Sequence, residues 1–395
     1  MVIGQPRPFV RAFVDAVNAA ITAHHPGHGL SALQRSWLAC CLTAILVTTA
    51  VCWARFERAS LGTSSLAAWS WMFRHAKIPW ELLLVASVRV LLRPYGITHG
   101  SRVVDDSAKQ RAQSAQKLAS LHHLRDTERG GCILGHSLVF RLLVTPKLTL
   151  PLGFAFYLPA PELTAWYKHE RTLRQQGIPR KRRPPKPPSN PHYPTTQELA
   201  LRLLEPCNTP QPALHVHGLI ADALYGSAAF MDGASALFGG GQVISQWRSN
   251  QRVRGYTREQ HVADYFVPHP GTPQPIRIRG GDEMVAIVGS ARLYGCAHHT
   301  KRFVIALKYD GDDTDRDVLA SDLSWRTLAS IHAHPLRWLV EVCVQDWKAY
   351  AGWGPLTKQP GEAGSRRRMI LSLLVDHGLF LPPAPHAQLT HHLPA

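Results

Sequence analysis

Four acidic residues and one charged helical stripe carry the chemistry that this sequence offers. Asp105 and Asp106 end the apolar run in "RVVDDS", Asp222 ends "LHVHGLIAD", and Glu341 lies inside "HPLRWLVEVCVQDWK". Counted from His334 on a helix of 3.6 residues per turn, Arg337, Glu341 and Lys348 fall within about 60° of one another. Leu336, Leu339, Val340, Val342, Cys343 and Trp347 surround that stripe with apolar bulk. A solvated face is the plain reading of such a stripe. The apolar bulk instead predicts partial burial, and buried charges need partners or a ligand. Carboxylates at strand ends, joined by one from a helix, suit hard divalent cations such as Mg²⁺ or Mn²⁺. Two such ions about 4 Å apart support in-line displacement at phosphorus. Each acid alone has an ordinary alternative, a helix cap or turn for Asp222 and a turn after a strand for Asp105 and Asp106. Together, on a basic chain, they point to metal-dependent cutting of DNA.

Composition sets the partner. Lys and Arg number 44 against 27 Asp and Glu, a formal charge of +17, and a chain this basic is expected to meet a polyanion. At 45% hydrophobic residues a large core is affordable and wholesale disorder is excluded. Seven cysteines, an odd number without any CxxC, argue against zinc fingers and a disulfide framework and for a reducing compartment. The 22 histidines show no clean metal-ligand spacing. Trp37–Ala54 carries no charge over 18 residues, which just reaches the length of a membrane span. Its threonines at 43, 48 and 49, the charges that follow at Arg55, Glu57 and Arg58, and the lack of a second such segment favour a buried helix. A membrane-anchored protein is the alternative.

The elements that must position these residues change texture along the chain. Residues 1–98 read as an all-α N-terminal domain, beginning with the amphipathic spacing Phe9, Phe13, Val14, Val17 and Ile21. Residues 99–249 mix strands and helices. "SLVFRLLVTP" and "LTLPLGFAFYLP" predict a hairpin, residues 177–194 an extended basic Pro-rich loop that contacts nucleic-acid backbone, and "TTQELALRLLEP" a helix capped by Thr195 or Thr196. Residues 250–320 are strand-rich, 321–380 give two C-terminal helices, with one continuous helix expected through residues 334–350, and 381–395 form a tail.

These motifs resemble those of the DDE transposases of bacterial insertion sequences, of the insertion-sequence-four type. The family's closing motif is Tyr-x2-Arg-x3-Glu-x6-Lys. Arg337, Glu341 and Lys348 match it in identity and spacing, with His334 in place of the tyrosine. "VVDDS" and "LIADALYG" resemble the surroundings of its first two catalytic aspartates, with Ser107 where the family usually has threonine. The resemblance implies an α/β fold: an RNase H-like catalytic core with a β-rich insertion, preceded by a helical region that binds terminal repeats. It implies Asp106, Asp222 and Glu341 as catalytic residues holding two Mg²⁺ (or Mn²⁺) ions, with Asp105 an alternative first acid. His334, Arg337 and Lys348 would bind DNA. It further implies nicking at element ends, attack of the freed 3′-hydroxyl on target DNA, a homodimer in a synaptic complex, no membrane, and a cytoplasmic, nucleoid-associated location. A catalytically decayed or purely DNA-binding relative, and a phosphodiesterase that cuts without joining, are the rival readings.

Overall fold

The computed structural model describes residues 5–111, 118–125, 130–205, 214–255, 258–278, 282–309, 317–321, 327–353 and 361–381. The tail, beyond Leu381, lies outside the described residues. The chain opens with five helices, α1 (Pro8–His24), α2 (Ala32–Thr48), α3 (Trp53–Ala59), α4 (Leu66–His75) and α5 (Trp80–Leu92). On α1 the buried stripe is Val10, Phe13, Val14, Val17 and Ile21. Phe9, expected in that stripe, is instead exposed. Val10 continues the helical period more closely, so the core closes over it and leaves Phe9 at the rim.

The uncharged stretch from Trp37 does not run on as one helix. Ser31 and Gln34 form a capping box that starts α2, with Ser31 Oγ accepting from the Gln34 N–H and Gln34 Oε1 from the Ser31 N–H. Thr49, left-handed at φ 50°, ends it, and α3 departs at 88°. No single described helix is long and apolar enough to cross a membrane. Eight α2 side chains are buried in protein instead. Trp37 meets the rings of Trp53, Trp69 and Trp80 at centroid distances of 6.4, 6.5 and 6.3 Å, geometry that favours tilted and edge contacts.

A sheet follows, with β1 (His99–Gln110), β2 (His122–Arg125), β3 (Cys132–Val144) and β4 (Thr149–Tyr157). Next come α6 (Pro161–Gln175), α7 (Thr196–Leu204), β5 (His215–Ala221), α8 (Ala228–Leu237) and β6 (Gln242–Trp247). The β3–β4 pair is the expected hairpin; Thr145 closes its turn by accepting on Oγ1 from the Leu148 N–H at 3.0 Å. Spatially these strands run β4–β3–β1–β5–β6: β3 is antiparallel to β1 and β4, while β5 is parallel to β1 and β6. The strand-rich segment contributes β7 (Arg252–Arg254), β8 (Glu259–His261), α9 (Val262–Phe266), β9 (Thr272–Ile278), β10 (Asp282–Gly295), β11 (Thr300–Tyr309) and β12 (Asp317–Ser321). It extends the same sheet, because β12 pairs antiparallel with β6. The chain ends in α10 (Thr327–Ala333), α11 (Trp338–Tyr350) and α12 (Gly361–Leu379).

The pleat sorts two cores. Val103 packs with α1, α2, α5, α11 and α12 on one face, and Val104 with α7 and α8 on the other. The opening helices therefore share their core with the sheet and with α12. Inside it, His377 accepts from Ser87 through Nδ1 (2.7 Å) and donates from Nε2 to the Pro151 carbonyl (3.0 Å), tying α12 to α5 and β4. Burial lowers its pKa to about 4, so the ring is neutral.

The next residue back, Asp376, has a carboxylate oxygen buried without a hydrogen-bond partner among the described residues. Burial, then the nearby Asp346, raises its pKa to about 7. A raised carboxyl pKa means stability that is present below the unfolded value, about 4, and lost as pH rises through 7. Asp376→Asn is therefore expected to stabilise the protein by about 2 kcal/mol at pH 8 and by little at pH 4, read from urea unfolding at the two pH values. Equal effects at both would remove ionisation as the cause.

Candidate functional site

The acids gather where the parallel pairing of β1 stops. Val104 is the last β1 residue opposite β5, facing Ala221, so the chain leaves the sheet at Asp222 beside Asp105. β1 itself does not end there, as the sequence suggested. Antiparallel pairing with β3 carries it on to Gln110, which sits opposite Gly135. A crevice beyond the carboxyl ends of parallel strands is the usual place for a site in such sheets.

Alternation then divides the two aspartates. Asp105 shares the Val103 face, towards α11, while Asp106 shares the face of Val104 and Tyr225. A cavity of 280 Å³ opens between the strand and the helix, lined by Asp105, Asp106, Ser107, Glu341, Gln345 and Lys348, with Val340 and Val344 at its floor. Helix α11 is seated there by Trp347, whose ring meets Phe140 edge-on at 5.3 Å and stacks on Trp353 at 4.8 Å.

The expected continuous helix is interrupted. His334–Arg337 is a 3₁₀ turn between α10 and α11, because Pro335 has no N–H to continue an α-helical ladder. Arg337 still reaches both sides of the cleft. Its Nη1 donates to Asp105 Oδ2 at 3.2 Å and to Glu341 Oε1 at 3.0 Å. Burial opposes its charge, yet Asp105, Asp222 and Glu341 together raise its pKa. Asp105 is pushed up to about 7, first by burial; Arg337 and the Asp106 N–H oppose that rise, and Asp106 and Asp222 add to it. Asp106, which keeps solvent access, is raised as well, by surrounding protein and then by Asp222. The buried Tyr225 hydroxyl has no hydrogen-bond partner among the described residues, and burial, then Asp106, Asp105 and Asp222, raises its pKa.

A cationic lobe adjoins the acids. Lys348 Nζ donates to Ser107 Oγ at 2.7 Å and to the Ala108 carbonyl at 3.1 Å. Its pKa falls to about 8 through burial, then Lys109 and Arg111. Sequence reasoning missed Lys109 and Arg111, yet the signal was there: positions 105, 107, 109 and 111 recur with period two on one face. His334 adjoins Asp222 and Arg337. Burial, then Arg337, lowers its pKa to about 4 against the pull of Asp222. Its ring is neutral and Nε2 is buried without a partner among the described residues, so it offers no cationic grip on phosphate.

The structure thus brings Asp105, Asp106, Ser107, Glu341 and Lys348 into one cleft, with Asp222, His334 and Arg337 adjoining. As a donor set, clustered carboxylates fit a hard divalent cation, and the raised pKa values of Asp105 and Asp106 mark negative charge that such an ion would relieve. The side chains are not closed on one point. Among the described residues no three His, Cys, Asp or Glu side chains stand close enough together to hold an ion, and Arg337 holds Glu341. No protein-family model matches the chain, and no curated protein is significantly similar to it.

Replacing Arg337 by methionine leaves Asp105 buried without its cation. The expected loss is about 3 kcal/mol of stability at pH 8 and much less at pH 5, below the Asp105 pKa of about 7, read from urea unfolding at both. The same loss at both pH values would show that Arg337 acts by packing alone.

Proposed function

We propose that this chain is a DNA-cleaving and strand-joining enzyme, a transposase of the DDE type with an RNase H-like core. The observation that carries the reading is the meeting of Asp105, Asp106, Glu341 and Lys348 in one cleft beside Asp222, from three distant parts of the chain. The strand order β4–β3–β1–β5–β6, with one antiparallel meander joined to two parallel strands, supports it. So do the acids' location at the end of the parallel pairing and the charge of +17.

In this reading Asp106 and Asp222 would hold divalent cations, with Asp105 as the alternative first acid, and Glu341 would join once freed from Arg337. When bound, the cations supply an activated hydroxyl and neutralise charge at the leaving oxygen. The protein's own groups then do the rest. Lys348, fixed by Ser107 and the Ala108 carbonyl, presents a positive charge to a strand lying along β1, with Lys109 and Arg111 behind it. Arg337 is placed to exchange a carboxylate partner for a phosphate, for which its planar fork is suited. The neutral His334 positions the turn that carries Arg337. A homodimer that pairs two DNA ends is the assembly that the family resemblance implies.

One observation favours a second reading, a DNA-binding relative without cleavage. The Arg337–Glu341 ion pair already neutralises the acid that a third metal ligand would need. The two readings part in a single assay. Strand cleavage of DNA carrying the element's ends is expected with Mg²⁺, lost by at least a hundredfold in Asp222→Asn and Glu341→Gln while DNA affinity is kept. Full cleavage by either variant removes that residue from the mechanism, and no cleavage by the unaltered chain leaves the binding-only reading.

A further inference from the structure

Helix α6 is a fifteen-residue helix in which no residue is buried. Its partners lie on the basic, proline-rich segment that follows it. Trp166 Nε1 donates to the Pro184 carbonyl at 3.1 Å. Arg183 donates to Glu170 at 2.6 Å and, from Nε, to the Ile178 carbonyl at 2.8 Å. Lys186 Nζ lies 5.9 Å from the Tyr167 ring centroid, a cation–π distance. Proline fixes φ along the return strand and so lowers the entropy of holding it extended. Residues 161–194 therefore form an arm, a helix and a stiff return segment braced on one another. The sequence had suggested a basic loop over 177–194 in contact with nucleic-acid backbone, without the helix that braces it.

Both roots of the arm stand at the acid end of the sheet. Tyr157, the last residue of β4, pairs with Ser137, and Ser137 pairs with Ala108. β4 therefore ends level with a residue just past Asp106, two strand spacings or about 10 Å away. The returning chain enters α7 through the Thr195–Glu198 capping box. There Gln197 donates to the Leu224 carbonyl at 2.5 Å and accepts from Ser227 at 2.7 Å, both on the turn that follows Asp222.

The arm's chemistry selects its occupant. It holds eight lysines and arginines against two glutamates. Arg180, Lys181 and Arg182 stand exposed on one 3₁₀ turn, and Lys168, Arg171 and Arg174 are exposed on the helix. Trp166, by contrast, is turned onto the return segment.

We propose that this arm is a clamp that grips the phosphate backbone of duplex DNA as it passes the acidic cleft. The inference rests on the DNA-directed reading above and adds where the duplex outside the reacting phosphate is held. The test uses the full chain and a labelled duplex in chelator, with affinity measured by fluorescence anisotropy across a salt series. For R180A/K181A/R182A, which leaves the Arg183 brace intact, the slope of log K against log salt is expected to shrink by about 2–3. Affinity at about 0.1 M salt is expected to fall at least tenfold. K168Q/R171Q/R174Q, on the helix side, is expected to act in the same direction, with thermal unfolding unchanged for both. Unchanged slope and affinity in either folded variant overturns the clamp. So does altered self-association without DNA and with DNA binding intact, which would make the arm a contact between copies. A Mg²⁺ cleavage assay separates the two claims. Loss of slope with no cleavage by the unaltered chain keeps the clamp and removes strand cleavage, whereas cleavage with normal slope in the variants does the reverse.

Discussion

A single guanidinium nitrogen, Nη1 of Arg337, stands between the carboxylates of Asp105 and Glu341 and ties the late helix α11 to the first strand of the sheet. Carboxylates that face one half-buried cleft repel, and without a cation the protonated form of the most buried one is favoured. Burial and the neighbouring acids already lift Asp105 to about 7 with Arg337 in place. Above the Asp105 pKa the guanidinium therefore stabilises the arrangement, and the surrounding architecture holds that cation and those acids together.

That architecture works by register. Parallel pairing of β1 with β5 ends at Val104 and Ala221, which releases Asp222 beside Asp105. Antiparallel pairing with β3 continues, so β1 presents Ser107 and Lys109 further along the same face. Trp347 and Phe140 fix α11 against that face, and Lys348 anchors to Ser107. A one-residue slip in β1 would turn Asp105 and Ser107 away from α11 and bring Asp106 there instead. The opening helices and α12 share the core beneath α11, so the stability of the site is coupled to the helical segment.

Much of this was legible in the sequence. The helical spacing of residues 8–24 and the β3–β4 hairpin follow from period and turn chemistry, and the meeting of "DDS" with the α11 charges is what the family resemblance implied. Phe9, the break at Pro335 and the continuation of β1 past the aspartates were not legible there. Two depend on long-range partners, the core that prefers Val10 and the β3 strand that pairs as far as Gln110, while the break at Pro335 has a local cause, the missing N–H, that the helical spacing masked. Nor did local pattern reveal that the basic proline-rich segment braces a helix with no buried face. That follows from Arg183 meeting Glu170 thirteen residues away.

In the proposed reading the cleft beside Arg337 is a divalent-cation site, and ion binding at Asp106 and Asp222 would free Glu341 from the guanidinium. Anomalous diffraction from crystals of the full chain soaked in Mn²⁺ tests it most directly. A manganese peak between Asp106 and Asp222, with Arg337 drawn away from Glu341, is the expected result. Manganese absent from the cleft at saturating concentration, with the Arg337–Glu341 pair intact, would contradict it.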